Sequence, residues 1–576
     1  MLRSIRRPRH KAVIPQRDLR GSPVPQDFFG STRKLMSDIF TPLPTSTPFS
    51  ELGNPVLTAS FYIKPAEKKA LSIIPVRSDR LEKRYGPILP ALDAACEELI
   101  QTGRAPNFER TVFVCGQHLL NTTVSFFEKL IQLGAKPCNI YVVGKSYSNS
   151  PEVIEAIRAL GIYVQPNREQ DQLGEFSPLY EADITDMIQL IAARVEQEKK
   201  HGGLSVDCII APDDGGHVLK GIRNNPKLRK IFGGRVVGIE QTSSGVDSAR
   251  TAPYHVIELA TCTVKRLVEP PMIARQVAEQ ALSRLEKILL ESSLRTEIDT
   301  SDHPSVLNLI QSLTEKKDPV CTVVGTGYIG RAVMEKLIEN GVKNFLVLDQ
   351  DQAKAVTCAS LLREQFRFIR VQAVTSLSTA IALSDVVAGC TGTDITADKA
   401  VIDAFESRTS PTIFFSCGSK DTTGETLLKH VQAKYLGRGA SVQPLEDRRF
   451  KNKAGADILL LHGLFPLNFN NLPESVPAHK IQLIRMLNLY AVVEAYHIAM
   501  GKYRPAPENY MVDPRDQKRA VELFAQHEPD VLQHFPVEIR EKLGDVEALT
   551  AESGGELYVS EEAEIAQAVS RYRRHP

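Results

Sequence analysis

A chain of 576 residues is too long for one hydrophobic core and should divide into at least two domains. Its 70 basic and 69 acidic residues leave a net charge of +1, so no global field draws it to nucleic acid or to an anionic membrane. Apolar and charged fractions of 42% and 24% are ordinary for a globular protein, and no apolar run approaches the ~20 residues that span a bilayer.

The N-terminus, Met1 to Lys11, is basic, and no acid occurs before Asp18. It lacks the apolar stretch of a secretory signal, and Pro8 and Pro15 spoil the amphipathic helix of a transit peptide. Residues 1–55 are rich in Pro, Ser and Thr, as in Thr41-Pro-Leu-Pro-Thr-Ser-Thr-Pro48, and read as a disordered or extended tail. The nine cysteines are scattered without a CxxC pair, most of them in apolar runs. They read as reduced core thiols of a cytoplasmic protein, not as a disulfide frame or a zinc site.

From there to about residue 255, strand and helix patterns alternate. Strands are expected at Thr111–Cys115, Asn139–Val143, Ile162–Val164 and Val206–Ala211, with helices at Thr122–Leu133, Pro151–Leu160 and Ile184–Lys199. Strands separated by helices of this length imply a parallel sheet with right-handed crossovers. A long helical pattern over 272–298 reads as a hinge element. The expected division is a substrate-type α/β domain over 56–290, completed by 470–503, a nucleotide domain over 300–468, and a charged helical extension over 504–576.

The nucleotide domain opens on the most informative stretch of the chain. An apolar run, Cys321 to Val324, is followed by Gly325-Thr-Gly-Tyr-Ile-Gly330, a helical pattern carried by Met334, Leu337 and Ile338, and a second apolar run ending in Asp349. Strand, glycines, helix, strand and terminal acid stand in the order of a dinucleotide-binding Rossmann unit. The glycines would give the tight turn, the close backbone approach to pyrophosphate and the close helix packing. Asp349 would accept the adenine-ribose hydroxyls and repel a 2′-phosphate, which favours NAD over NADP. The fold class expected is thus α/β, with two doubly wound parallel-sheet domains.

Four further segments follow predicted strands of the first domain, where open parallel sheets place their ligands. They are Cys115-Gly-Gln-His118, Asp213-Asp214-Gly-Gly-His217, Glu240-Gln-Thr-Ser-Ser-Gly245, and Lys265 with Glu269. Each has a bland reading: a loop histidine, a turn, a helix cap, a solvated i,i+4 pair. Asp213, Asp214 and His217 lack the further His or Cys that a metal site would want. What raises the functional reading is their placement at equivalent ends of one sheet.

Taken in order, these motifs resemble the adenosylhomocysteinase family from about residue 110 to 500. The resemblance rests on Val112–Ala135 with His118, on Asp213-Asp214-Gly-Gly, on Glu240-Gln-Thr-Ser-Ser-Gly-Val246, on Thr263-Val-Lys265 with Glu269, on the glycine fingerprint with Thr391-Gly392, and on Gly463–Asn468. It implies a tightly held NAD that oxidises a sugar hydroxyl, so that a thioether can be eliminated, water added and the ketone reduced again. Lys265, Glu269, Asp214 and His118 would be catalytic. Gly325, Gly327, Tyr328, Ile329, Gly330, Asp349, Thr391, Gly392, Thr242, Ser243, Ser244 and Asn468 would hold the cofactor. Gln241, Asp214 and Thr123 would touch the substrate, a nucleoside thioether or related small molecule, in a homo-oligomer.

The departures cluster in the pocket. The family's second Glu is Gln241, its adenine-reading positions are Leu120 and Thr122, an Asn is Pro270, and a Gly-His-Phe-Asp reads Gly418-Ser419-Lys420-Asp421. A second Gly-His falls near Glu474-Ser475, and the C-terminal Lys and Tyr that reach a neighbouring subunit have no counterpart. Each unmade polar contact to a buried ligand costs on the order of 1–3 kcal/mol. A redox enzyme acting on another ligand, or a non-catalytic NAD-binding regulator, therefore stand as alternatives.

Overall fold

The computed structural model describes residues 84–168, 176–295, 319–418, 421, 423–436, 445–469, 472–505, 511–533, 535, 537–544 and 558–560. The expected tail, residues 1–55, lies outside them. Two parallel sheets organise the chain. The first contains β1 (Thr111–Gln117), β2 (Ile140–Gly144), β3 (Tyr163–Gln165), β4 (Cys208–Asp213), β5 (Val236–Glu240) and β6 (His255–Glu258), in the order β3-β2-β1-β4-β5-β6. The second contains β7 (Val320–Val324), β8 (Asn344–Leu348), β9 (Arg370–Ala373), β10 (Val386–Gly389), β11 (Thr412–Ser416), β12 (Arg448–Lys451) and β13 (Asp457–Leu460). Its order is β12-β13-β11-β10-β7-β8-β9, with only β12 antiparallel.

Both sheets reverse direction next to their first strand, between β1 and β4 and between β7 and β10. Both are thus doubly wound, and each has a switch point where the crossovers diverge and leave a crevice at the strands' carboxyl ends. The central strands are buried on both faces, which is why they read as unbroken apolar runs.

Four helices position the site. Helix α1 (Asn121–Gln132) follows β1. Helix α2 (Thr263–Arg295) begins earlier than the 272–298 pattern suggested and runs through Pro270 and Pro271. It starts in the core of the first sheet, through Val264 and Val268, and ends in that of the second, through Ala274, Val277 and Ala281. Helix α3 (Tyr328–Glu339) starts inside the glycine fingerprint. Helix α4 (Ala478–Ala499) is buried nearly all round, packed among α1, β4 and β5, which explains a sequence with almost no polar stripe.

Beyond α4 the chain is helical at Pro514–His527, Pro529–Gln533 and Val537–Gly544. The expected helical character of 504–576 needs one correction: Tyr558–Ser560 is a strand, antiparallel to Tyr503–Pro505. A ribbon this short offers too little period-2 pattern to read from sequence. No helix among the described residues is long and apolar enough to cross a membrane.

The fingerprint glycines are explained by steric contacts. Gly325 has φ +97°, and a Cβ on it would lie 2.5 Å from the Cys390 carbonyl oxygen. A Cβ on Gly330 would sit 1.8 Å from the carbonyl oxygen of Gly325. Ala is favoured over Gly in a helix by about 1 kcal/mol, but a backbone clash of this kind outweighs it. Gly330→Ala is therefore expected to destabilise the protein by at least about 2 kcal/mol, read as a lower urea midpoint. An unchanged midpoint would contradict the close packing of α3 on β7.

Candidate functional site

A cavity of about 340 Å³ is walled by the carboxyl ends of strands from both sheets, the place where doubly wound folds bind ligands. From the first sheet come Gln117 at the end of β1 and His118 after it, Asp214 after β4, and Gln241, Thr242 and Ser243 after β5. From the second come Gly327, Tyr328 and Ile329 after β7, Cys390 and Gly392 after β10, and Cys417 and Gly418 after β11. The segment after β13 adds Asn468 and Phe469, and α2 adds Lys265, Arg266 and Glu269.

Each expected residue can now be placed. His118, Asp214, Lys265, Glu269, Gln241, Thr242, Ser243, Gly327, Tyr328, Ile329, Gly392 and Asn468 share this one cavity. Gly325, Gly330, Asp349, Thr391, Ser244 and Thr123 stand outside its wall. Gly325 and Gly330 act through the backbone, as above. Thr123 donates its hydroxyl to the His118 carbonyl at 2.8 Å, and Ser244 bonds the Thr242 hydroxyl at 3.1 Å, so both support wall residues. Thr391 donates to the Thr393 carbonyl at 2.9 Å.

Asp349 closes the βαβ unit. Its Oδ2 accepts from the Thr326 amide at 2.8 Å and the Thr326 hydroxyl at 2.9 Å, and its Oδ1 accepts from the Asp351 amide at 3.1 Å. Burial pushes its pKa up, but these bonds outweigh it and hold the carboxyl below the usual range. The acid is therefore ionised and fixed at the tip of β8. Gly327, at the cap of α3, faces space that no protein atom within 4 Å would deny to a Cβ. Open space over a helix N-terminus is what a pyrophosphate requires.

Lys265 and Glu269 lie one turn apart on α2, and Nζ of Lys265 bonds the Glu269 carboxylate. The lysine is only 7% exposed, so this is not the solvated surface pair that i,i+4 spacing alone suggests. His118 Nδ1 bonds the Ser148 hydroxyl at 2.7 Å, while its Nε2 lies 3.5 Å from Asp214. Its ring stacks on Phe469 with centroids 4.0 Å apart. Burial lowers the His118 pKa, with Asp214 opposing, so the ring favours its neutral form.

Behind this wall lies a charge cluster that the strand-end motifs missed. Lys145 directly follows β2 and is buried, with Nζ 2.8 Å from Asp214 and 2.8 Å from Asp421. Asp421 follows β11, in the other sheet's half of the chain, and also accepts from the Tyr147 hydroxyl at 2.8 Å and pairs with His217 at 3.2 Å. Burial works against all three charges, but their mutual attraction prevails. It pushes Lys145 well above its ordinary pKa and holds Asp214 and Asp421 well below theirs. Lys145 was findable, since it too follows a strand at the carboxyl edge.

Arg485 is unforeseen too and does belong to the wall, the one cation within the buried Gln482–Leu489 stretch of α4. Its Nε donates to the Thr122 hydroxyl at 3.2 Å and its Nη2 to the Thr123 hydroxyl at 2.9 Å. Glu474 sits on the other side of Thr122, accepting from its amide at 2.9 Å. Thus Thr122 and Leu120, at the positions expected to read adenine, serve here as an arginine support and an apolar wall. No group of three or more His, Cys, Asp or Glu suited to a metal occurs among the described residues.

Residues 308–418 match the family model described as shikimate/quinate 5-dehydrogenase. The chain is similar to the uncharacterized proteins MT0113 and Rv0104 of Mycobacterium tuberculosis, each 32% identical over 199 residues. That match spans 34% of this chain and 36% of each relative. Among solved structures, the TT0316 protein from Thermus thermophilus is similar over 61% of this chain and 96% of its own, at 14% identity and TM-score 0.31. Quinate dehydrogenase from Corynebacterium glutamicum in complex with NAD covers 37% and 58%, at 17% identity and TM-score 0.20. The glycine fingerprint lies within the stretch that matches this dehydrogenase model. The family model matched on it is a dehydrogenase, not adenosylhomocysteinase.

Replacing Lys145 by Met would leave Asp214 and Asp421 buried without their cation, at a cost of about 3–5 kcal/mol in urea unfolding. The depressed carboxylates contribute stability above their unfolded pKa of about 3.9, lost as pH falls through their folded values. Lys145 contributes below about 10.4, lost as pH rises through its raised value. Wild-type stability from this cluster should therefore be flat between those limits. A Lys145→Met variant as stable as wild type at pH 7 would contradict the cluster's role.

Proposed function

We propose that this chain is an NAD-dependent oxidoreductase that interconverts a hydroxyl and a ketone on a small polar molecule. The observation that carries the reading is the convergence of the buried Lys265–Glu269 pair and the glycine-loop residues Gly327, Tyr328 and Ile329 on one cavity. The donor set fits the cofactor: open space at Gly327 over the start of α3 for pyrophosphate, and an ionised Asp349 at the tip of β8 for the adenine ribose. When bound, NAD supplies hydride exchange with the substrate's carbinol carbon.

The protein's own part is proton transfer, orientation and exclusion of water. Lys265 would donate a proton to the carbonyl oxygen in the reducing direction and recover it in the other, with Glu269 stabilising the ammonium. Leu120, Ile273, Val476, Ile481 and Ile484 line the cavity with apolar surface, which strengthens every charge interaction inside it. Gln241 and Asn468 offer hydrogen bonds to orient a polar ligand.

A second reading, redox-assisted elimination of the adenosylhomocysteinase type, is favoured by one observation. The cavity holds a second acid–base pair, His118 beside Asp214, which elimination needs and simple alcohol oxidation does not. Adenosine separates the two: reduction of bound NAD by adenosine supports elimination, and reduction only by other alcohols supports the first reading. Bound NAD with no turnover on either would leave a nucleotide-binding regulator.

Two variants test the assignment. Lys265→Ala should lower the rate of NAD reduction by about 10² or more while NADH affinity, read by fluorescence, is retained. Gly327→Ala should fold normally, because its Cβ meets no protein atom, yet weaken NADH binding by about tenfold or more. A Lys265→Ala enzyme at full speed would remove the lysine from the reaction.

A further inference from the structure

We propose that the substrate of this cavity is a hydroxy acid, or the corresponding keto acid, whose carboxylate is held by Arg485. The inference rests on the redox reading above and specifies its substrate class.

Arg485 is 8% exposed and yet belongs to the cavity wall, between the buried apolar residues Ile484 and Met486 of α4. A guanidinium carries five N–H donors. Two are directed by Thr122 and Thr123 through Nε and Nη2, which fixes one edge of the planar group. Both acceptors are neutral hydroxyls. Among the described residues no carboxylate oxygen comes within the 4.0 Å of an ion pair, and Arg485 has no further partner. The edge formed by Nη1 and the second hydrogen of Nη2 is left for a ligand.

The surrounding charges are already committed. Asp214 is bound to Lys145, Glu269 to Lys265, and Glu474 to the amide and hydroxyl of Thr122. A buried cation without an ionic partner is costly, and burial lowers the Arg485 pKa even though Glu474, Asp214 and Glu269 oppose it. A planar fork with one free edge matches the two oxygens of a carboxylate in geometry and in charge. A phosphate dianion would want a second cation, and Arg266, the wall's other arginine, lies over the Tyr328 ring at the start of α3, on the nucleotide side. A neutral purine would gain little from a buried cation.

The test uses the full chain loaded with NADH and titrated calorimetrically with glycolate, malonate, inorganic phosphate and glycolamide, the neutral isostere of glycolate. Saturable binding of glycolate or malonate is expected, with glycolamide weaker by about tenfold or more. Arg485→Met should weaken the carboxylates by about 10- to 100-fold and leave NADH affinity as it was. Equal binding of glycolate and glycolamide, saturation by phosphate alone, no carboxylate binding at all, or full carboxylate affinity in Arg485→Met would each overturn the assignment. Should the variant fail to fold, the glycolate–glycolamide comparison on the native chain decides alone. Failure to bind NADH would instead overturn the redox reading, so the two failures are distinguishable.

Discussion

One buried ammonium holds the cleft together. Lys145 lies between Asp214, from the loop after β4, and Asp421, from the loop after β11, so a single Nζ ties carboxyl-edge loops of both sheets. An interaction of this kind is weak evidence for net stability, because desolvation consumes much of the Coulomb gain. Its consequence is positional. Tyr147 and His217 also bond Asp421, so this carboxylate is tied to three side chains of the first sheet's half.

The rest of the cavity inherits that geometry. Asp214 is shared between Lys145 and His118, and Phe469, which follows β13, stacks on the His118 ring. Helix α2 then brings Lys265 and Glu269 alongside the glycine loop, since the same helix packs on both cores. The two walls divide the work. The wall from the second sheet is largely backbone and small residues, open to close approach. The wall from the first sheet carries most of the titratable groups, set among apolar side chains that raise their electrostatic effect.

The departures from the resembled family acquire a physical meaning here. Thr122 forms, with Glu474 and Arg485, a polar support joining α1 to α4, while Leu120 belongs to the cavity's apolar wall. Asp421, by contrast, keeps three partners from the first sheet's half of the chain, Lys145, Tyr147 and His217, although the histidine position two residues before it is Ser419.

Local pattern by itself determined the parallel α/β character, the positions of β1, β2, β3, β4, β7 and β8 within a residue or two, the glycine fingerprint and Asp349, and the strand-end loops that wall the cavity. These are short-range properties: burial on both faces forces unbroken apolar runs, and a pyrophosphate turn forces glycine. Tertiary structure alone decided that Lys145 and Asp421, distant in sequence, share charge, and that Arg485 faces a cavity instead of sitting as an odd polar residue in an apolar helix. It also decided that residues 558–560 pair with 503–505. Such pairings depend on which loops two separately wound sheets bring together, and no local periodicity encodes that.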